Sequence, residues 1–412
     1  MKNDSLLNRL KSTGSAYLHR SKVDPIQNRT RYIFFLYLFS AAIILFGLII
    51  VFSAVQNNED YEFSRQLICV LIGIVLMIIV SRFDYKVLSN MVIPLIIINI
   101  ILIMSPHLPF IGVHVKGASS WIRLGIQIQP GEFAKITVIL LAASVVSKYG
   151  GHLDDSKEYV KTLALLLIPF ICIMTQPDLG TGLVYLFIAA IALVAGGARL
   201  KYLLITLAVF VILFLIILGI DELTKTINEN GEVEYHFLKN YQRERLFIFL
   251  NPESDASGSG YNLRQAQIAV GSGGFFGKGL MHGTQAALKF LPEAPTDFIF
   301  CVLAEETGFV GVALLLVLYI GLILTSIRIA FSAEDLFGKL LVWCCVGMWV
   351  FQIFQNIGMC CGVMPITGIP LPFISYGSSF MIVNCVMLGL IGSVAINGIS
   401  YKRKRIRYGA TR

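Results

Sequence analysis

Asp297 is the residue of this chain best placed for acid–base chemistry. It closes a long polar stretch where an apolar run, Phe298-Ile-Phe300, begins. The dipole and free N–H groups of a helix start stabilise a carboxylate, so the plainest reading of Asp297 is an N-cap. A carboxylate at such a boundary also acts as a general base once an acceptor hydroxyl comes within hydrogen-bond reach. Five further ionisable residues, Glu132, Lys135, Asp178, Glu305 and Glu306, fall within or against apolar runs. Such groups are costly inside a membrane, and they mark paired clusters or substrate paths. Glu132 and Lys135 are three residues apart and share a helix face. Pro130 opens that helix. Asp178, in Gln176-Pro-Asp-Leu-Gly-Thr181, lies at a break between two apolar runs on the same side. The three are expected to meet, either lining a cavity or as an ion-pair cluster that holds helices together. Glu305 and Glu306, ahead of Gly308 and Gly311, read as pairing inside a bundle.

Two polar segments flank these groups. Residues 105–130 contain Lys116-Gly-Ala-Ser-Ser-Trp-Ile-Arg123. Trp121 suits either an interfacial anchor or a surface for stacking sugars. Lys116 and Arg123 beside it suit phosphate, or pairing with loop acids. Residues 221–297 form a loop too long to be a mere connection. It holds Tyr241-Gln-Arg-Glu-Arg245, a helical-looking stretch at Asn262–Val270, and the run Gly271-Ser-Gly-Gly-Phe-Phe-Gly-Lys-Gly279. The glycine run either cradles a phosphate through backbone N–H groups or makes a tight re-entrant turn. It is not a nucleotide-binding P-loop, because Ser272 and Gly279 stand where that pattern needs Gly and Ser/Thr. The eight cysteines all lie in apolar runs without a C-x-x-C pair. That pattern reads as buried thiols rather than disulfides or zinc.

The elements that must position these groups are membrane helices. The chain has 412 residues, 56% hydrophobic and 14% charged, against roughly 25% charged in a soluble domain. Disorder, collagen and coiled coil are excluded with it. Ten apolar runs of about span length are read at 32–55, 66–82, 87–104, 131–148, 162–176, 179–197, 202–220, 298–326, 340–364 and 377–398. The first 31 residues are polar and basic and read as a cytoplasmic tail without a cleaved signal. Ten spans put both ends on one side. With both ends inside, the inner segments carry 22 of the 33 Lys and Arg. Seven of the ten outer ones sit in the long loop, where the positive-inside rule does not apply. Residues 399–412 form a basic tail suited to an anionic inner leaflet. The net charge of +8 is therefore an orientation signal, not a nucleic-acid footprint. The expected organisation is an all-α, N-in/C-in membrane domain over 32–398, with outer loops at 105–130 and 221–297. Pro365 to Ser379 reads as a rigid non-helical outer loop.

Taken in order, the motifs resemble those of the SEDS proteins (shape, elongation, division and sporulation). The carriers are Lys116-Gly-Ala-Ser-Ser-Trp121, Gln129-Pro-Gly-Glu-Phe-Ala-Lys135, Gln176-Pro-Asp-Leu-Gly-Thr181 and Tyr261 through Gly279. Phe290-Leu-Pro-Glu-Ala-Pro-Thr-Asp-Phe-Ile-Phe300, Ala304-Glu-Glu-Thr-Gly308 and Pro370-Leu-Pro-Phe-Ile-Ser-Tyr-Gly377 complete the set. Tyr241-Gln-Arg-Glu-Arg245, Asn251-Pro-Glu-Ser-Asp255 and Gly283-Thr-Gln285 are more similar to the RodA (elongation) branch than to the FtsW (division) branch.

The resemblance implies a GT-C-like membrane fold and a peptidoglycan glycosyltransferase polymerising lipid II on the outer face of the cytoplasmic membrane. The implied partners are a class B penicillin-binding protein transpeptidase and the elongation machinery. Asp297 falls on the family's essential aspartate. Trp121, Glu132, Lys135 and Asp178 match its loop tryptophan and cavity residues, and Glu293 and Ser375 fall in its site motifs. Lys116, Lys135, Arg243 or a divalent cation, Mg or Mn, would stabilise the pyrophosphate leaving group. The sequence departs from the family at Gly131, where Ser is usual, at Pro295, where His is usual, and at Ser375-Tyr-Gly-Ser-Ser379, which lacks a second glycine. A lipid II flippase, a polymerase of another lipid-linked glycan, and a scaffold that only activates a synthase are the competing readings.

Overall fold

The computed structural model describes residues 25–56, 61–108, 112–115, 118–124, 126–176, 178–227, 233–234, 243, 248–249, 258–288, 290–291 and 293–409. Each of the ten apolar runs contains an α-helix. In chain order they are α1 (Pro25–Val55), α2 (Phe63–Arg82), α3 (Val92–Met104), α4 (Pro130–Ser147), α5 (Ser156–Met174), α6 (Leu179–Ala195) and α7 (Leu200–Leu223). After two short helices, α8 (Ser259–Ser272) and α9 (Thr284–Ala287), come α10 (Ile299–Ser332), α11 (Leu336–Cys360) and α12 (Ser378–Gly409). Seven contain a window long and apolar enough to cross a bilayer, namely α1, α2, α4, α7, α10, α11 and α12. The apolar helices at Val92–His107 and Leu179–Ala195 are shorter, and α5 opens on a polar turn with Lys157, Glu158 and Lys161. The chain is a multi-pass membrane protein. α12 continues beyond the expected boundary at 398 as far as Gly409.

Burial orders the bundle. α4 sits at its centre, with fifteen of its eighteen residues buried. α7 stands at the periphery, where Asp221 is its one buried residue. α2 and α12 lie so close that a Cβ on Gly389 would come within 2.7 Å of the Met77 carbonyl oxygen, the close approach that small residues allow between membrane helices. α11 and α12 are joined by the buried Trp349, whose indole N–H donates to Asn384 Oδ1 at 2.7 Å.

Two features depart from the all-α expectation. Residues 112–128 form an antiparallel sheet of β1 (Gly112–Val115), β2 (Ala118–Leu124) and β3 (Ile126–Ile128), in that order. A second hairpin pairs β4 (Thr226–Ile227) with β5 (Val233–Glu234). The alternation in Trp121-Ile-Arg-Leu124 is too brief to signal a strand against its apolar neighbours.

The glycine run takes the re-entrant alternative. α10 breaks at Gly308, whose φ of 62° and ψ of −161° only glycine adopts readily. Past the break, the N–H groups of Phe309 and Val310 donate to the carbonyls of Gly274 and Phe275, at 3.0 and 3.2 Å. In return, Lys278 and Gly279 donate their N–H groups to the carbonyls of Glu305 and Glu306, at 2.9 and 3.0 Å. Glu305, fully buried, accepts from Lys278 Nζ at 2.6 Å and from the Thr284 hydroxyl and N–H at 2.8 and 2.9 Å. Glu306 accepts from the Ser53 hydroxyl. The two acids thus pair as expected, and what they fasten is the glycine loop.

This docking gives a first prediction. At Gly277, φ is +78° and a Cβ would lie 2.1 Å from the Glu306 carbonyl oxygen. Gly277→Ala should therefore lower the thermal unfolding midpoint in detergent, the backbone conformation alone costing about 1–3 kcal/mol. Gly271→Ala, where a Cβ meets nothing within 4 Å, should leave the midpoint unchanged or raise it slightly.

Candidate active site

The sequence Glu293-Ala-Pro-Thr-Asp297 folds into a compact turn because Glu293 takes a left-handed backbone, with φ at 58°. Its carbonyl then accepts the N–H groups of Thr296 and Phe298, at 3.1 and 3.2 Å. Phe298, not Asp297, occupies the N-cap position of α10, and it makes no side-chain cap. Asp297 therefore stands one residue outside the helix, half-buried.

Three separate elements hold this turn. From α11, Asn356 Nδ2 donates to the carbonyls of Asp297 and Ile369, both at 2.8 Å. From the loop after α11, Ser375 Oγ donates to the Thr296 carbonyl at 2.7 Å and accepts the Leu371 N–H at 2.7 Å. The Tyr376 N–H donates to the Pro295 carbonyl at 2.9 Å. From the segment entering α2, the Tyr61 hydroxyl donates to Glu293 Oε2 at 2.9 Å, and its ring stands edge-on to Tyr376 at 5.1 Å. Burial, then the Glu293 charge and more weakly that of Asp297, push the Tyr61 phenol well above its usual range, so it stays a donor.

A second polar cluster lies at the start of α4. Lys135 Nζ and Glu132 Oε1 are 2.5 Å apart and almost wholly buried, with side-chain exposures of 2% and 4%. Lys135 also lies over the Phe380 ring, 5.4 Å from its centroid. Glu132 Oε2 is buried without a hydrogen-bond partner. Asp178 caps α6 through the Thr181 N–H and hydroxyl, at 3.0 and 2.8 Å. Gln129 reaches Asp178 Oδ2 at 3.5 Å and gives its N–H to Ser379 Oγ at 3.1 Å. Glu132 and Lys135 thus pair with each other, while Asp178 reaches Gln129, just ahead of α4, rather than the pair itself. The loop 361–377 is non-helical as its prolines require. It connects the two clusters, since its Thr367 and Ile369 pack against Gly180 and Ile369 shares Asn356 with Asp297.

The other expected residues fall elsewhere. Trp121 lies half-buried in β2, opposite Val113. Arg243 is brought to the end of α7, where its guanidinium meets Asp221 at 3.8 Å and also Glu222. Lys116 lies outside the described residues. Tyr61 and Asn356 join the site although no motif in the sequence marks them. Among the described residues, no group of three His, Cys, Asp or Glu side chains is arranged to hold a metal ion.

Tyr61 can be tested directly. Tyr61→Phe keeps the ring on Tyr376 and removes only the hydrogen bond to Glu293. A hydrogen bond to a charged group contributes roughly 1.5–3 kcal/mol, and partial exposure favours the low end. The thermal midpoint should fall modestly, and any activity that depends on Asp297 several-fold. Tyr61→Ala should cost more on both counts.

Known proteins are similar to this chain over most of its length. A family model described as a cell cycle protein, for FtsW, RodA and SpoVE, matches residues 32–398. The chain belongs to the FtsW/RodA/SpoVE family. Among relatives in that family, peptidoglycan glycosyltransferase MrdB of Escherichia coli K12 is 35% identical, over 86% of this chain and 90% of its own length. Stage V sporulation protein E of Bacillus subtilis is 34% identical, over 85% and 93%. Peptidoglycan glycosyltransferase RodA of Treponema pallidum is 33% identical, over 84% and 94%. Among solved structures, a chain from a peptidoglycan synthase complex that coordinates polymerisation and crosslinking superposes with a TM-score of 0.71. It is 29% identical over 88% of this chain and 97% of its own. The rod shape determining protein RodA of Thermus thermophilus superposes at 0.62, with 26% identity over 88% and 96%.

Proposed function

We propose that this family member is a peptidoglycan glycosyltransferase that polymerises lipid II into glycan strands on the outer face of the cytoplasmic membrane. The observation that carries the reading is the mounting of Asp297. It is a half-buried carboxylate just outside a helix start, on a turn pinned from α11, the 361–377 loop and Tyr61. That is the mounting a general base needs, since misplacement by about 1 Å costs roughly 100-fold in rate. The acceptor's GlcNAc 4-hydroxyl attacks C1 of the donor's MurNAc with inversion. The C1–O bond to undecaprenyl pyrophosphate breaks, and the hydroxyl proton passes to Asp297. A lipid-linked donor carries its own leaving group, which suits a site outside the cytoplasm, where nucleotide-sugars are absent.

The finer architecture follows the same reading. Ten helices cross the membrane, both ends are cytoplasmic, and the 221–297 loop is outside. The charge asymmetry of the short loops supports this orientation. The Tyr241–Arg245 and Gly283–Gln285 sequences support the elongation branch. Leaving-group charge falls to basic groups such as Lys135 or to a divalent cation. The partner is a class B penicillin-binding protein. The similarity to a chain from a synthase complex, named for polymerisation and crosslinking, supports that pairing.

Purified protein with labelled lipid II and no partner should yield glycan strands. Translocation of lipid II in liposomes without polymer would replace this reading with a flippase. Strands appearing only when an active partner synthase is added would replace it with a scaffold.

A further inference from the structure

The glycine run makes a loop whose tip is apolar and whose flanking backbone is hydrogen-bonded into the α10 break. Phe275 and Phe276 are 59% and 78% exposed, and Leu280 and Met281 beside them are also exposed. Phe276 stands edge-on to Phe275 at 4.9 Å, and Phe275 stacks on Phe309 of α10 at 5.6 Å. The patch does not end there. Phe309, Leu314, Val317, Ile320 and Leu324 continue it down α10 as an exposed apolar stripe at helical spacing. That stripe belongs to a segment of membrane-spanning length and apolarity.

We infer that the Phe275–Phe276 tip is a membrane wedge, seated among the acyl chains of the leaflet that borders the outer loops. Two independent observations place lipid there. The first is continuity with the apolar face of α10. The second is hydrogen bonding. Irregular backbone is tolerated at membrane depth where its N–H and C=O groups find partners in protein, and five backbone hydrogen bonds tie this loop to itself and to the α10 break. The carbonyls of Gly273, Gly274 and Phe275 accept from Gly277, Phe309 and Val310, and the N–H groups of Lys278 and Gly279 donate into the α10 break. Its cation is neutralised as well, since Lys278 Nζ is held by Glu305 and Thr284. A loop built for water has no need of these arrangements, and an apolar tip of this size is a liability in water. The level also fits. Glu306, two residues before the break, meets Ser53, which lies within one turn of the end of α1. The wedge would fix the height of α10, and hence of Asp297 at its start, relative to the acyl boundary where a lipid-linked substrate presents its headgroup. The choice of leaflet rests on the orientation proposed above; the depth of the tip does not.

Accessibility of a nitroxide tests this. Cys361 is the exposed cysteine and Cys172 is half-buried, so both are first replaced, by Ser and Ala. Phe276→Cys is then spin-labelled in the full chain, in nanodiscs of phosphatidylethanolamine and phosphatidylglycerol. Val317→Cys provides the lipid reference and Arg264→Cys, on the exposed side of α8, the water reference. At position 276, collisions with dissolved oxygen should exceed those with a water-soluble nickel chelate several-fold, as at 317. The opposite ratio, as at 264, would overturn the wedge. So would low accessibility to both reagents, which would mean that protein covers the tip. Phe275→Cys supplies the same reading if the first variant does not fold. Because the measurement needs no polymerisation, its failure is distinct from failure of the proposed activity.

Discussion

Asp297→Asn should abolish glycan polymerisation while leaving the protein folded and able to bind lipid II. The substitution keeps the shape of the side chain and the backbone carbonyl that Asn356 holds. What it removes is the proton acceptor. Losing a positioned general base costs roughly 100- to 10,000-fold, which takes a slow polymerase below detection. Asp297→Glu keeps a base but moves it by one methylene. It should retain intermediate activity, because the three-sided mounting leaves the turn little room to compensate. The measurement is strand length and rate from labelled lipid II, read beside the thermal midpoint and substrate binding. Near-normal polymerisation by Asp297→Asn would remove the residue from the chemistry. Loss of both binding and fold would make it structural.

The same residue shows what a sequence can disclose. That Asp297 sits where loop gives way to helix is a local fact, visible in the change from Pro295-Thr-Asp to Phe298-Ile-Phe. That it stands one residue outside the cap is not local. It follows from the left-handed backbone of Glu293 and from Asn356, 59 residues away in the chain. The helices were legible for the same reason that Asp297's neighbourhood was: an apolar run of span length has few other fates in a membrane. The Glu132–Lys135 pair was legible because three residues separate its members. Tyr61 was not, since its partner Glu293 lies 232 residues away. The glycine run left two readings open. Only the break at Gly308, whose following amides bond the carbonyls of Gly274 and Phe275, decides between them, and a lone glycine in an apolar run announces no such break. Trp121 and Arg243 show the converse, where recognisable residues go to the 112–128 sheet and to the end of α7.

Lys135 and Glu132 allow the remaining ambiguity of the second cluster to be resolved by energetics. Two buried charges 2.5 Å apart either hold α4 in place or line the substrate cavity, and the two roles respond differently to neutralisation. Lys135→Met alone leaves a carboxylate buried without its cation. Breaking a buried pair from one side typically costs about 3–5 kcal/mol, so this variant should unfold at markedly lower temperature or fail to accumulate. Adding Glu132→Gln removes the stranded charge, and replacing both partners of a buried pair is often close to neutral. The double variant should therefore regain most of the stability. Its activity then separates the roles. If the pair only fastens helices, polymerisation returns together with stability. If Lys135 meets substrate phosphate, the restored protein stays inactive, with lipid II binding weakened. The second outcome is the expected one. The unpartnered Glu132 Oε2 marks a cluster whose polar capacity is not exhausted by its own contacts, as a site that waits for a polar ligand would be.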